Sequence, residues 1–134
     1  MTLTELQDAL PDYARDLKLN LQTVLAQAEL TEQQTWTTAV ACALASRNAK
    51  LSETIVTEAA NKLTPAQLSS AKAAFAIMGM NNIFYRFRHF VTDGEYDQIP
   101  ASLRMQSIRN HGGDPVDFEL ACLAVSTING CEAC

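Results

Sequence analysis

At three points where an apolar helical pattern begins, the chain sets a threonine three residues ahead of a glutamate or glutamine: Thr2 with Glu5, Thr31 with Gln34, Thr64 with Gln67. That spacing is the capping box, in which the hydroxyl takes the N3 amide and the N3 side chain returns to the cap amide. Each box satisfies donors that a helix otherwise leaves bare, so each marks a helix start. Leu3, Leu6 and Leu10 follow the first box at helical intervals, and a helix over 36–46 follows the second. Pro65 sits directly after the third cap, where a missing N–H costs nothing. The helix opened there reaches toward Phe90, with Gly79 as its weak point. Pro11 suits the first turn of a second helix whose Leu17, Leu21, Val24, Leu25 and Ala28 make one stripe. A shorter helix covers 51–62, Asp93-Gly94 signals a turn, and a short helix follows Pro100. After the break at 111–115, residues 116–129 read as an apolar helix ended by Gly130 at C′. No strand alternation or internal repeat interrupts this pattern. The expectation is an all-α fold, a multi-helix bundle over residues 1–134 as one domain.

Charge and hydropathy exclude several partners. The 134 residues carry 10 basic and 15 acidic side chains, a formal charge of −5, and no run of Lys or Arg forms a phosphate-tracking stripe. Nucleic acid is therefore not an expected partner. Residues 1–20 hold scattered charges and no apolar h-region. The longest uncharged stretches, 33–46 and 73–85, fall short of the ~20 apolar residues that span a bilayer. These features predict a soluble cytoplasmic protein without membrane contact.

Four cysteines are present: Cys42, Cys122, Cys131 and Cys134. The first two fall inside apolar helical patterns and read as small core hydrophobes. The last two form a C-x-x-C directly after the Gly130 stop, in what reads as the first turn of a further helix. A thiolate there gains from the orphan amides and the positive end of the dipole, and such pairs titrate at ~3.5–7.5. Cycling between dithiol and disulfide, or peroxide reduction through a sulfenic acid, is then open to the pair. A zinc site or a purely structural pair is also open. Zinc requires two further ligands from Cys42, Cys122, His89, His111 or carboxylates, and no second C-x-x-C or H-x-x-x-H supplies them. A catalytic turn with nothing after it frays, so the chain is expected to continue beyond Cys134.

Two further features stand out. Glu119 interrupts the apolar run 118–125, either as the helix's polar edge or as a half-buried acid whose raised pKa lets it exchange protons with the thiols. Asn81 and Asn82 are consecutive amides in an apolar helix and must find partners, in a site or across a subunit interface. His89 and His111 have no evident partner and read as structural.

The same residues carry a resemblance. The opening stretch 10–21, the run Ile77-Met78-Gly79-Met80-Asn81-Asn82-Ile83-Phe84-Tyr85-Arg86, and Phe118-Glu119-Leu120 through Asn129-Gly130-Cys131 and Cys134 together resemble the AhpD family. The likeness spans the whole chain. It implies an all-helical homotrimer similar in fold to carboxymuconolactone decarboxylases. It further implies weak alkyl hydroperoxidase activity, reduction of the oxidised peroxiredoxin AhpC, and electrons from the dihydrolipoyl group of a 2-oxo acid dehydrogenase complex. No bound cofactor is implied, only the redox-active disulfide and external dihydrolipoamide. By the resemblance Cys134 is the nucleophile that forms the sulfenic acid, Cys131 its resolving and proton-donating partner, and Glu119 part of a proton relay. The chain departs from the family at Ala133, where some relatives carry histidine. It also ends before the position of the family's relay histidine, four residues past the second cysteine, where the family's last helices follow. The competing readings are a decarboxylase-like relative, which needs no C-x-x-C, and a non-catalytic or zinc-bound oligomerising module.

Overall fold

Each threonine box closes in the structure, a computed structural model that describes residues 1–91 and 94–134. In chain order the helices are α1 (Leu3–Asp8), α2 (Arg15–Ala26), α3 (Glu32–Ala45), α4 (Ala49–Ala59), α5 (Pro65–Phe90), α6 (Gly94–Asp97) and α7 (Pro115–Asn129). Short 3₁₀ turns lie at Asp12–Ala14 and Gln106–Ile108. The described residues contain no strand, so the fold is all-α. Asp114 caps α7 by accepting from the Val116 and Asp117 amides, and Pro115 takes the first helical position. α5 runs through Gly79 without a break.

Several boundaries differ from the sequence expectation for identifiable reasons. α4 starts earlier because Asn48 caps it, accepting from the Leu51 amide at 3.0 Å. Pro11 precedes the 3₁₀ turn rather than a continuous helix, and α2 begins only at Arg15. The helix expected after Pro100 is reduced to one 3₁₀ turn. Ser102 there adopts φ +53°, a left-handed backbone that a helix cannot include. The turn expected at Asp93-Gly94 involves Asp93, which lies outside the described residues; Gly94 opens α6.

The core has two parts that share α3. On one side Ala41 and Ala45 of α3 meet Ala74, Ile77 and Met78 of α5 and Phe118, Ala121 and Val125 of α7. On the other, Trp36, Val40 and Ala43 pack with Ile55 and Ala59 of α4, and with Leu63 and Ala71. Alanines at these crossings let the backbones approach closely, and an α3 buried nearly all round needs no polar stripe. Burying Phe118 contributes about 1.5–3 kcal/mol, and its ring stacks on His111 with centroids 4.0 Å apart. His111 is held in turn: its Nδ1 lies 2.9 Å from Ser70 Oγ and accepts from the Gly113 amide. It is structural, as expected.

α2 departs from its expected role. Leu21, Val24 and Leu25 line an apolar pocket of about 260 Å³ against α3 and α4, yet no residue of α2 is buried. Leu17 is 65% exposed, so the predicted stripe only partly packs. No helix among the described residues is long and apolar enough to cross a membrane.

Candidate active site

α7 ends in a Schellman motif that aims the cysteine turn. Gly130 adopts φ +68°, the left-handed conformation that glycine enters without a Cβ penalty. The Cys131 amide then donates to the Ser126 carbonyl at 3.0 Å and the Gly130 amide to the Thr127 carbonyl. Residues 131–134 follow as a turn, not as the expected helical first turn. Among the described residues the nearest helix end is the carboxyl end of α7, which is negative, and Arg86 offsets it by donating Nη1 to the Asn129 carbonyl.

Cys131 and Cys134 are joined as a disulfide with Cα atoms 5.6 Å apart. The two sulfurs face different surroundings. Cys131 is buried, and Cys134 is exposed and lines a chamber of about 290 Å³. Tyr85 lies between, lining that chamber and a second one beside Cys131 with Arg86 and His89. His89 is exposed, with Nε2 3.9 Å from Glu132 Oε1.

A buried amide network fixes this geometry to α5. Asn82, fully buried, donates Nδ2 to Ser126 Oγ at 3.0 Å and accepts from Asn129 Nδ2 at 3.0 Å. Ser126 also donates to Met78 Sδ. Asn82 and Arg86, one turn apart, thus hold the side chains and the last carbonyl of α7 directly before the cysteines. Losing a partner of such a buried group costs ~1–3 kcal/mol, which makes the network a rigid support.

Glu119 is not brought to the thiols. It is exposed on α7, about 15 Å of helix axis before Asn129 at ~1.5 Å per residue. The buried acid expected there is instead Asp117, which accepts from Gln33 Nε2. Glu119 lines a pocket of about 140 Å³ with Cys122, Met78 and Ile108, and the last two also wall the Cys134 chamber. Burial, and then the Glu119 carboxylate, push the Cys122 thiol up to about 11. Burial also raises Cys42. Both half-buried thiols are poor nucleophiles at neutral pH. Among the described residues no group of three or more His, Cys, Asp or Glu side chains is placed to hold a metal ion.

No protein-family profile matches the chain. Similar proteins named alkyl hydroperoxide reductase AhpD occur in several bacteria. The one from Solibacter usitatus is 59% identical over 134 residues, covering all of this chain and 76% of the relative. That from Koribacter versatilis is 55% identical, covering all of this chain and 70% of the relative. The Streptomyces griseus protein is 51% identical, with 76% of it covered. The chain belongs to the AhpD family.

Within an AhpD chain, the sequence pointed to the cysteines and to the paired asparagines, but not to their separate tasks. Ser126 and Arg86 were missed as supports. Arg86 carried a weak signal, since a guanidinium one helical turn beyond a buried amide needs acceptors, and the free carbonyls of a neighbouring helix end are one source of them.

Proposed function

We propose that the protein reduces alkyl hydroperoxides and regenerates an oxidised AhpC-type peroxiredoxin through Cys131 and Cys134. The observation that carries this reading is the asymmetry of the pair, an exposed Cys134 at a chamber and a buried Cys131 behind it. In the reduced protein the Cys134 thiolate attacks the terminal peroxide oxygen. An S–O bond forms, the O–O bond breaks, and the alkoxide takes a proton from Cys131. The Cys131 thiolate then attacks the sulfenic sulfur, hydroxide leaves and takes from solvent the proton released when Cys134 ionised, and the disulfide closes. Arg86, whose charge offsets the α7 carboxyl end, favours the thiolate form of the turn. Glu119 serves as an outlying proton relay, supported by the walls its pocket shares with the Cys134 chamber.

Two electrons from a dihydrolipoyl group reopen the disulfide by thiol exchange, and the active assembly is a homotrimer in the cytoplasm. The family likeness supports these readings. Cys134→Ser should abolish hydroperoxide consumption with dihydrolipoamide as reductant, whereas Cys131→Ser should accumulate a sulfenic acid that mass spectrometry detects as a dimedone adduct. Turnover by Cys134→Ser at the parent rate would reverse the role assignment, and NADH oxidation by the purified protein alone would remove the lipoyl donor.

A further inference from the structure

We propose that Asn81 binds the substrate's hydroperoxide group at Cys134, an assignment that rests on the peroxidase reading above. Asn81 and Asn82 are neighbours on α5 with opposite fates. Asn82 has its amide fully engaged by Ser126 and Asn129. Asn81 is equally interior, only 5% exposed, yet its Nδ2 donates only to Met105 Sδ at 3.2 Å and its Oδ1 has no partner. A thioether is a weak acceptor, so this donation holds the amide loosely. Buried carbonyl oxygens are rarely left unpaired, and those that are call for a functional explanation.

The place of Asn81 supplies one. It lines the Cys134 chamber together with Met78, Tyr85, Ile108 and Ala133. The terminal oxygen of a hydroperoxide is both the atom the thiolate attacks and the atom that carries the hydrogen. An O–H donated to Asn81 Oδ1 orients that oxygen toward Cys134. The terminal amide torsion is soft, so a modest rotation presents the carbonyl. The hydrogen stays on the transferred oxygen when the S–O bond forms and the O–O bond breaks. The same carbonyl therefore holds the nascent sulfenic acid while the alkoxide leaves with a proton from Cys131. The organic group points away, along Met78 and Ile108, which continue into the neighbouring pocket that Phe118 and Cys122 share with His111 and Glu119.

Asn81→Leu tests the assignment. Leucine replaces an unpartnered acceptor with an apolar group of similar volume, so the variant should melt at or above the parent temperature. The second-order rate constant for oxidation of the reduced variant by cumene hydroperoxide, followed by stopped flow, should fall about tenfold, the worth of one hydrogen bond. Its alkylation by iodoacetamide, which needs the Cys134 thiolate but no peroxide site, should keep the parent rate. Asn81→Ala carries the same comparison should leucine disturb packing. An oxidation rate within twofold of the parent overturns the assignment alone. Oxidation and alkylation falling in parallel also overturns it, because the thiol and not peroxide binding has then changed. A parent protein that alkylates normally but consumes no hydroperoxide removes the peroxidase reading and this assignment together.

Discussion

Four cysteines of one chain are separated into two chemical classes by their immediate surroundings. Cys134 stands exposed, whereas Cys122 is packed on α7 beside a carboxylate, and its thiol is pushed up to about 11 first by burial and then by Glu119. At pH 8 a thiol titrating near 11 is about one-thousandth ionised, so Cys122 is a weak competitor for the chemistry of the Cys131–Cys134 pair. Glu119 can be tested from both sides. Glu119→Gln removes the negative charge that disfavours the Cys122 thiolate, so the midpoint of the Cys122 alkylation profile should move below its parent value. If Glu119 also relays protons, hydroperoxide turnover should drop about tenfold or more, within the usual range for a general acid or base. Because Glu119 is exposed, the melting temperature should hold. Full turnover together with a shifted Cys122 profile would reduce Glu119 to a local electrostatic neighbour.

At the scale of elements, what was legible in the sequence is what local chemistry decides. The three capping boxes, Pro65 and the Gly130 stop each act within one turn, and each appears where the pattern places it, whereas Asp114 and Pro115, read as a break, open α7. Tertiary packing decides the rest. The stripe on α2 is helical in period yet largely unburied, and Ser102 at φ +53° removes a helix that propensity allows. Adjacency of the cysteines could be read from spacing, but the burial of one and the exposure of the other could not. The orphan oxygen of Asn81 was equally hidden, because it depends on where α5 meets the 105–108 segment. Gly130 links the two levels. Gly130→Ala places a Cβ only 3.8 Å from Arg86 Nη1, an ordinary contact, so its cost is backbone strain alone. A left-handed alanine costs about 1 kcal/mol or somewhat more, equivalent to ~3–5 °C in a chain of this size. Calorimetry should show that drop, and the disulfide should become easier to reduce as the turn loses its fixed aim. An unchanged melting temperature would mean that the Schellman turn does not hold the site.

For the whole molecule, the distribution of apolar surface bears on assembly. Buried residues converge where α3, α5 and α7 meet, but the carboxyl half of α5 also presents Ile83, Phe87 and Phe90 to solvent, at 49%, 56% and 68% exposure. Single exposed apolar side chains are ordinary, whereas three at i, i+4 and i+7 make a stripe that another surface is suited to cover. The stripe lies on the helix that also carries Asn82 and Arg86, so an assembly built on it would stiffen the support beneath the cysteines. Of the three, Phe87 has no aromatic or cation–π partner among the described residues, whereas Arg86 lies 5.9 Å from the Phe90 ring centroid. Phe87→Glu therefore adds a charge to the stripe without disturbing a known internal contact. If the protein is a homotrimer through this face, light scattering should give the parent three times the chain mass and the variant a smaller mass, with unchanged helical circular dichroism. Burying three glutamates at a symmetric apolar interface carries a desolvation penalty that the lost phenylalanine contacts compound, so the shift should be evident at micromolar concentration. A variant that keeps the parent's mass would place the subunit interface elsewhere, and a monomeric parent would remove the trimer itself.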